Sequence, residues 1–167
     1  MQPLAIFLLP CKKDSSALKS LINLIATQED APVFPPHIKL AEDMVTDEKK
    51  LIAGLKEIKE TLKPFTLSVS QIGMTPAIAK SLFITFKPCL ELEGFQSGLL
   101  AALGLKKFTF IPHVTIMYKE MEIKAKKKIA SQLAIPTELT FDRLAICLPA
   151  PGASTFEESF TWRVIEI

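Results

Sequence analysis

One short element occurs twice in this chain, and it constrains the fold more than any other feature of the sequence. The first copy covers residues 34–40 (FPPHIKL) and the second covers residues 110–116 (FIPHVTI), 76 residues further along. Both copies read aromatic, any residue, proline, histidine, β-branched, polar, aliphatic. Because a recurring pattern of residue types indicates a recurring structural unit, we expect two similar halves packed against each other.

Each copy predicts a β-strand that begins at its histidine. The proline before His37 and the proline before His113 favour extended backbone on the approach to each strand. In a strand, residues two positions apart share a face, so His37 lies beside Lys39 and His113 lies beside Thr115. If the halves pack about a pseudo-twofold axis, the two polar faces converge on one cleft.

Hydrophobic periodicity predicts short strands alternating with four helices, an α+β domain. With 167 residues and 49% hydrophobic content, residues 1–167 fit one domain of two intimately packed lobes. Asp14 or Ser15 is the expected N-cap of the first helix, and Thr46 that of the second. The predicted helices cover residues 12–28, 46–62, 90–105 and 123–134, and the predicted strands cover 4–9, 38–41, 65–72, 81–86, 108–117, 139–148 and 160–167, with a loop at 149–152.

Charge and cysteine usage exclude several classes of protein. A formal net charge of +2 gives no broad nucleic-acid-binding surface, so an anionic ligand must be recognised locally. Cys11, Cys89 and Cys147 are scattered, which argues against a disulfide framework and favours a reducing cytoplasm. The apolar run 4–9 is too short for a signal peptide, and no segment reaches the ~18 apolar residues of a membrane span.

The two histidines are the candidate catalytic groups. A single histidine is more often structural, but His37 and His113 are the only two in the chain and occupy matched positions. With an ordinary pKa of ~6.5, one can activate water as a base while the other protonates a leaving oxygen as an acid. Thr115 and Lys39 offer donors for phosphoryl oxygens. With no matching acidic cluster and no glycine-rich dinucleotide motif, we expect neither a metal nor a cofactor.

These residues carry a resemblance to a known family. The elements 37–39 (HIK) and 113–115 (HVT) resemble the paired His-x-Thr/Ser motifs of the two-histidine (2H) phosphoesterase superfamily. The cyclic phosphodiesterase branch is similar in segments 5–10, 112–118 and 141–145 and at Trp162. The resemblance implies a bilobal pseudo-twofold fold in which two antiparallel sheets flank a central cleft, with helices outside. Members cleave 2′,3′-cyclic nucleotides, ADP-ribose 1″,2″-cyclic phosphate or RNA ends without a metal.

The resemblance also implies roles for individual residues. His113 would be the water-activating base and His37 the acid, with the reverse order left open. Tyr118 and Phe7 match aromatic positions that line the family's cleft and could stack on a base or ribose, although core packing is the alternative for Phe7. The expected partner is a small nucleotide cyclic phosphate or an RNA end, and we expect a cytoplasmic monomer that binds no membrane.

Lys39 departs from the family pattern, which has threonine or serine there. A lysine can hold a phosphoryl oxygen as a point charge, or it can point to solvent from a strand edge. The first hypothesis is therefore hydrolysis of a cyclic phosphate. The second is a nucleotide-binding module that has lost turnover. The third is action of the same histidine pair on RNA ends, which the low net charge of the chain disfavours. The lysines at 124, 126, 127 and 128 are interpreted as a solvated helix face rather than an RNA-steering surface.

Overall fold

The computed structural model describes residues 2–78, 80–148 and 163–167. In these ranges strands alternate with helices in the order that the sequence predicted. The predicted loop 149–152 and Trp162 lie outside the described residues. The strands are Gln2–Pro10 (β1), Ile38–Val45 (β2), Phe65–Met74 (β3), Leu82–Phe86 (β4), His113–Met117 (β5), Glu138–Leu148 (β6) and Arg163–Glu166 (β7); the helices are Lys12–Glu29 (α1), Glu48–Lys59 (α2), Leu90–Leu103 (α3) and Ile123–Gln132 (α4).

The strands form two antiparallel sheets that share β3. Their order is β2-β1-β6-β3-β4-β5, and β7 lies beside β6. The beginning of β3 pairs with β6, and the rest of β3 pairs with β4. The predicted α+β class with two antiparallel sheets is confirmed, and the strand that joins them is the new detail. His113 begins β5 as predicted, whereas His37 lies just before β2, which begins at Ile38. We call β2 and β5 the two histidine strands; they are the ends of this path, yet their Cα atoms approach within 8 Å.

Alternation along β1 separates two apolar faces. Leu4, Ile6 and Leu8 are fully buried in the main core, where Leu18, Ile22 and Ile25 of α1 also pack. Each such side chain contributes roughly 1.5–3 kcal/mol when it leaves water. The opposite face forms a smaller cluster, which we call the cleft-side cluster; it comprises Ala5, Phe7, Leu9, Ala145 and Cys147, with Val164 packed against it.

The predicted helix caps were wrong. Helix α1 begins after Cys11, and Asp14 accepts a hydrogen bond from the Thr140 amide at 2.7 Å instead of capping its own helix. The chain turns directly from β1 into the helix, so the first-turn carboxylate lies against β6 and satisfies a strand donor. In α2 the cap is Asp47, whose carboxylate accepts from the Lys50 amide at 3.0 Å, rather than Thr46.

A second correction concerns Lys126. Its side chain is fully buried and its Nζ donates to the Thr75 carbonyl at 2.6 Å, whereas Lys124, Lys127 and Lys128 are exposed as expected. Burial lowers the pKa of Lys126. The sequence could not distinguish Lys126 from the other lysines of this helix, because its partner, the Thr75 carbonyl, lies in the turn after β3.

Among the described residues, no helix is long and apolar enough to cross a membrane.

A β-bulge in β2 determines which side chains share the face of Lys39. Phe7 pairs with Lys39 while Ile6 pairs with Ala41, so Leu40 is the extra residue. A bulge shifts the alternation by one position, which puts Lys39 and Glu42 on the same face. The buried Gln96 side chain donates from Nε2 to the Leu40 carbonyl at 3.0 Å and thereby holds the bulge.

We predict that Gln96→Met lowers the free energy of unfolding by about 1–3 kcal/mol. Methionine keeps the length of the side chain but cannot donate, so the Leu40 carbonyl is left buried without its partner. Chemical denaturation measures the loss. The matched control is Gln28→Met, at an exposed position of α1, where the change should stay within about 0.5 kcal/mol. Equal effects of the two substitutions would contradict the role of Gln96.

Candidate active site

Both histidine rings are held by the same hydrogen bond. Nδ1 of His37 lies 2.8 Å from the carbonyl oxygen of Pro35, and Nδ1 of His113 lies 2.8 Å from that of Ile111. Since a carbonyl only accepts, Nδ1 carries the hydrogen in each ring. Nε2 is therefore the atom that can take up or release a proton in each histidine.

Phe7 supports the ring of His37. The two rings stack with centroids 3.7 Å apart and an angle of 14° between their planes. Phe7 is 6% exposed and belongs to the cleft-side cluster. One face of Phe7 is thus covered by His37, so the structure places this residue as a support for the histidine rather than as an open stacking surface.

Phe83 supports the ring of His113 from the neighbouring strand. The ring centroids are 5.3 Å apart in an edge-to-face arrangement with an angle of 63°. Phe83 lies opposite Gly73, and a Cβ atom added there would come within 2.4 Å of the Phe83 ring. The absence of a side chain at Gly73 therefore provides the space that Phe83 occupies beside His113.

The two histidines share one electrostatic environment. Burial lowers the pKa of His37 to about 4; the Pro35 hydrogen bond opposes this, and the charges of His113 and Lys39 add to it. Burial also lowers the pKa of His113, against its bond to Ile111 and with help from Lys80 and Lys39. The charges of His113 and Lys39 both lower the pKa of His37, so the three side chains interact electrostatically. Both imidazoles are mainly neutral at neutral pH when no ligand is bound.

Thr115 and Tyr118 form a second polar pair on the His113 side. Thr115 is buried. Burial raises the pKa of Tyr118, and the nearby Thr115 side chain opposes that rise. The Tyr118 ring packs against Phe34 with centroids 4.5 Å apart. Cys147, in the cleft-side cluster, also contributes to the raised pKa of Tyr118. Burial raises the pKa of the Cys147 thiol to about 12, so this cysteine is neutral and unreactive.

Lys39 is half-exposed and forms an ion pair with Glu42 on the same strand. The residue pattern did not indicate Glu42, because the bulge that aligns it with Lys39 leaves no trace in the sequence. Nor did the pattern indicate Phe83 and Lys80, whose relation to His113 depends on the pairing of β4 with β5. No group of three or more His, Cys, Asp or Glu side chains that could hold a metal ion occurs in the described part of the chain.

The sequence profile of the 2′-5′ RNA ligase superfamily matches residues 16–149, which include both histidine strands. This chain belongs to that superfamily, the 2H phosphoesterases. The cyclic phosphodiesterase of Arabidopsis thaliana is 21% identical over 173 aligned positions, covering 98% of this chain and 92% of that protein. A protein of Halalkalibacterium halodurans, provisionally named a phosphoesterase, is 27% identical over 109 residues, covering 61% of this chain and 64% of its own length.

Solved structures agree on the 2H phosphoesterase fold. E. coli LigT complexed with 3′-AMP has a TM-score of 0.63 and 16% identity, and the match covers 99% of this chain and 95% of LigT. The crystal structure of a phosphoesterase has a TM-score of 0.59 and 16% identity, and the match covers 100% of this chain and 96% of that one. At this identity the likeness concerns the fold alone, and it confirms the α+β fold that the resemblance to the 2H phosphoesterases implied.

We predict that Gly73→Ala displaces Phe83 and, through it, the ring of His113. The new methyl group overlaps the Phe83 ring, and such overpacking costs about 1–3 kcal/mol of unfolding free energy. In histidine-selective NMR spectra the His113 ring signals should shift while those of His37 stay unchanged.

The control for this substitution is Gly98→Ala, in helix α3, where an added Cβ meets nothing within 4 Å. This variant should leave both histidines unchanged and should be at least as stable as the wild type. An unshifted His113 in Gly73→Ala would show that Phe83 does not position the histidine.

Proposed function

We propose that this protein hydrolyses a cyclic phosphodiester, a 2′,3′-cyclic nucleotide or ADP-ribose 1″,2″-cyclic phosphate, to a phosphomonoester without a metal ion. The observation that carries the proposal is the pair of histidines with the same tautomer, each fixed at Nδ1 and available at Nε2. Ring opening needs one group that accepts a proton from water and one that donates a proton to the leaving oxygen. The two Nε2 atoms supply both roles.

The proposed mechanism uses His113 as the base and His37 as the acid. Neutral His113 accepts a proton from water at Nε2, the hydroxyl oxygen bonds to phosphorus, and the bond to the leaving oxygen breaks as His37 gives that oxygen its proton. Each step of this kind contributes roughly 10²–10⁴-fold. Proton return between the two histidines, by way of solvent, restores the starting state.

The low pKa of His37, about 4, fits the role of the acid. A group that binds its proton weakly is a strong donor, but the free protein holds it neutral at neutral pH. Binding of an anionic phosphodiester beside the ring favours the charged imidazolium and so loads the acid. Lys39 and the hydroxyl pair of Thr115 and Tyr118 would contact the phosphoryl oxygens.

The relatives support a nucleotide as the substrate class. The Arabidopsis relative is named a cyclic phosphodiesterase, and LigT has been crystallised with 3′-AMP and with phosphate. The nucleotide specificity, the cytoplasmic location and the monomeric state of this chain stay predictions.

We predict that the wild type opens a 2′,3′-cyclic mononucleotide in the presence of EDTA, and that His37→Ala and His113→Ala each lose at least about 10²-fold in kcat. Added imidazole should restore part of the activity of each variant, because it replaces the missing ring. Full activity in either variant would contradict the paired mechanism.

The pH profile follows from the lowered pKa values. The acid must be protonated in the productive free enzyme, and the protonated fraction falls as pH rises through its pKa. Because the pKa values of His37 and His113 are both lowered from 6.5, kcat/KM should already be declining as the pH rises past 6.5.

An alternative function is a nucleotide-binding module with weak or lost catalysis, favoured by one observation. Lys39 replaces the family's hydroxyl residue and is paired with Glu42, so its charge is partly compensated. Under this reading the wild type binds a nucleotide without turnover, and Lys39→Thr creates activity. Under the main proposal Lys39→Thr raises the pKa of both histidines by removing a positive charge and moves the active pH range upward. Turnover by the wild type decides between the two.

A further inference from the structure

The ion pair of Lys39 and Glu42 lies on the same face of the sheet as the ring of His37. In β1, Ala5 and Phe7 belong to the cleft-side cluster. Their partners in β2 are Glu42 and Lys39, respectively, and residues directly opposite each other on paired strands share a face. Phe7 also stacks on His37. A carboxylate therefore stands beside the proposed phosphate site, where the mechanism gives it no role.

Glu42 is the acidic side chain that contacts the cations of this site. The cations that act on the two histidines are Lys39 of β2 and Lys80 of the turn between β3 and β4. Of the described acidic side chains, Glu42 alone lies within 4 Å of either ammonium. The titratable side chains of the second half and of the cleft-side cluster, Tyr118 and Cys147, are neutral because burial raises their pKa values. Glu42 is thus the group that can compensate a charge here.

The neighbouring carboxylate, Asp43, is committed to a different contact. It accepts hydrogen bonds from the backbone amides of Lys106 and Met44, at 2.9 and 2.8 Å, and these bonds lower its pKa. Alternation along the strand puts Asp43 on the face opposite Glu42. Strand β2 therefore contributes one ammonium and one carboxylate to the histidine face, and their charges cancel.

The substrate and the product of the proposed reaction differ in charge. A cyclic phosphodiester carries one negative charge, whereas the phosphomonoester formed from it carries about −1.5 to −2 at pH 7. Because the Coulomb energy is proportional to each charge, an uncompensated ammonium stabilises the bound product about twice as strongly as the bound substrate. Such a site would retain its own product. The threonine or serine that the family has at position 39 is neutral and creates no such bias.

We propose that Glu42 is the specificity-determining residue that lets the site release its doubly charged product and prefer the singly charged substrate. The inference rests on the proposed hydrolysis. Glu42 acts through its contact with Lys39 and not on the reacting atoms, so it is a positioning residue. Lys39 still donates a hydrogen bond to a phosphoryl oxygen, while the pair as a whole adds no net charge. The pair thereby replaces the neutral hydroxyl of the family.

The test measures KM for uridine 2′,3′-cyclic phosphate and the inhibition constant Ki of the uridine monophosphate that the reaction releases. In Glu42→Gln the ammonium is uncompensated, so KM should fall roughly threefold and Ki roughly tenfold, because the product carries almost twice the charge. The ratio Ki/KM should therefore fall about threefold. Glu42 is exposed, so the glutamine is accommodated without repacking of the core.

Two further variants separate the charge of Glu42 from a structural role. Adding Lys39→Met to Glu42→Gln removes both charges and should restore the wild-type Ki/KM ratio, because no net charge then remains. Glu57→Gln, at an exposed position of α2, removes the same charge from the chain and should leave the ratio unchanged. Salt at about 0.5 M should reduce the effect of Glu42→Gln, because it screens interactions between exposed charges.

The other results overturn the inference in distinguishable ways. Equal changes of KM and Ki in Glu42→Gln show that Glu42 does not discriminate between the two charges, and no change in either shows that the ligand does not feel its carboxylate. The same fall of the ratio in Glu57→Gln assigns the effect to the net charge of the whole protein. Failure of the wild type to open the cyclic phosphate overturns the proposed function itself, whereas turnover with an unchanged ratio in Glu42→Gln overturns this inference alone.

Discussion

The hydrogen bond from each histidine Nδ1 to the carbonyl two residues earlier is the interaction on which the account of this protein depends. It exists twice, at 2.8 Å in both halves, and it fixes both the tautomer and the orientation of a ring that would otherwise rotate. The proline before each histidine keeps the approaching backbone extended, so that the carbonyl of Pro35 or Ile111 faces the ring. Without these bonds, neither Nε2 would be reserved for proton transfer.

The fold places these two units together by means of its strand order. The histidine strands are the two ends of one antiparallel strand order, in which β3 belongs to both sheets. The two ends nevertheless lie close to each other. Each histidine ring packs against an aromatic side chain of a neighbouring strand: Phe7 packs on His37 and Phe83 on His113. The two supports differ in geometry, stacked against edge-to-face, so the halves are similar without being equivalent. Burial lowers both histidine pKa values, and it lowers that of His37 to about 4.

The sequence was sufficient for features that are local or repeated. Strand and helix periodicity predicted the α+β class, because periodicity and proline restrict the backbone over a few residues. The duplicated histidine element carried the resemblance to the superfamily, and that resemblance implied the two-sheet fold. The sequence was insufficient where the cause is a distant partner. Asp14 was assigned to its own helix but binds β6, and Lys126 was assigned to solvent but binds the turn after β3. Glu42 could not be found, because the bulge at Leu40 depends on the register with β1.

The measurement that tests the central claim most directly is histidine-selective ¹⁵N NMR during titration with a uridine–vanadate complex, which resembles a phosphoryl group under attack. His37 and His113 are the only two histidines of the chain, so the spectrum reports on the site alone. If one phosphate lies between the two rings, the Nε2 signals of both shift with a single midpoint while both Nδ1 atoms stay protonated. A shift confined to one histidine, or two different midpoints, would contradict a shared site.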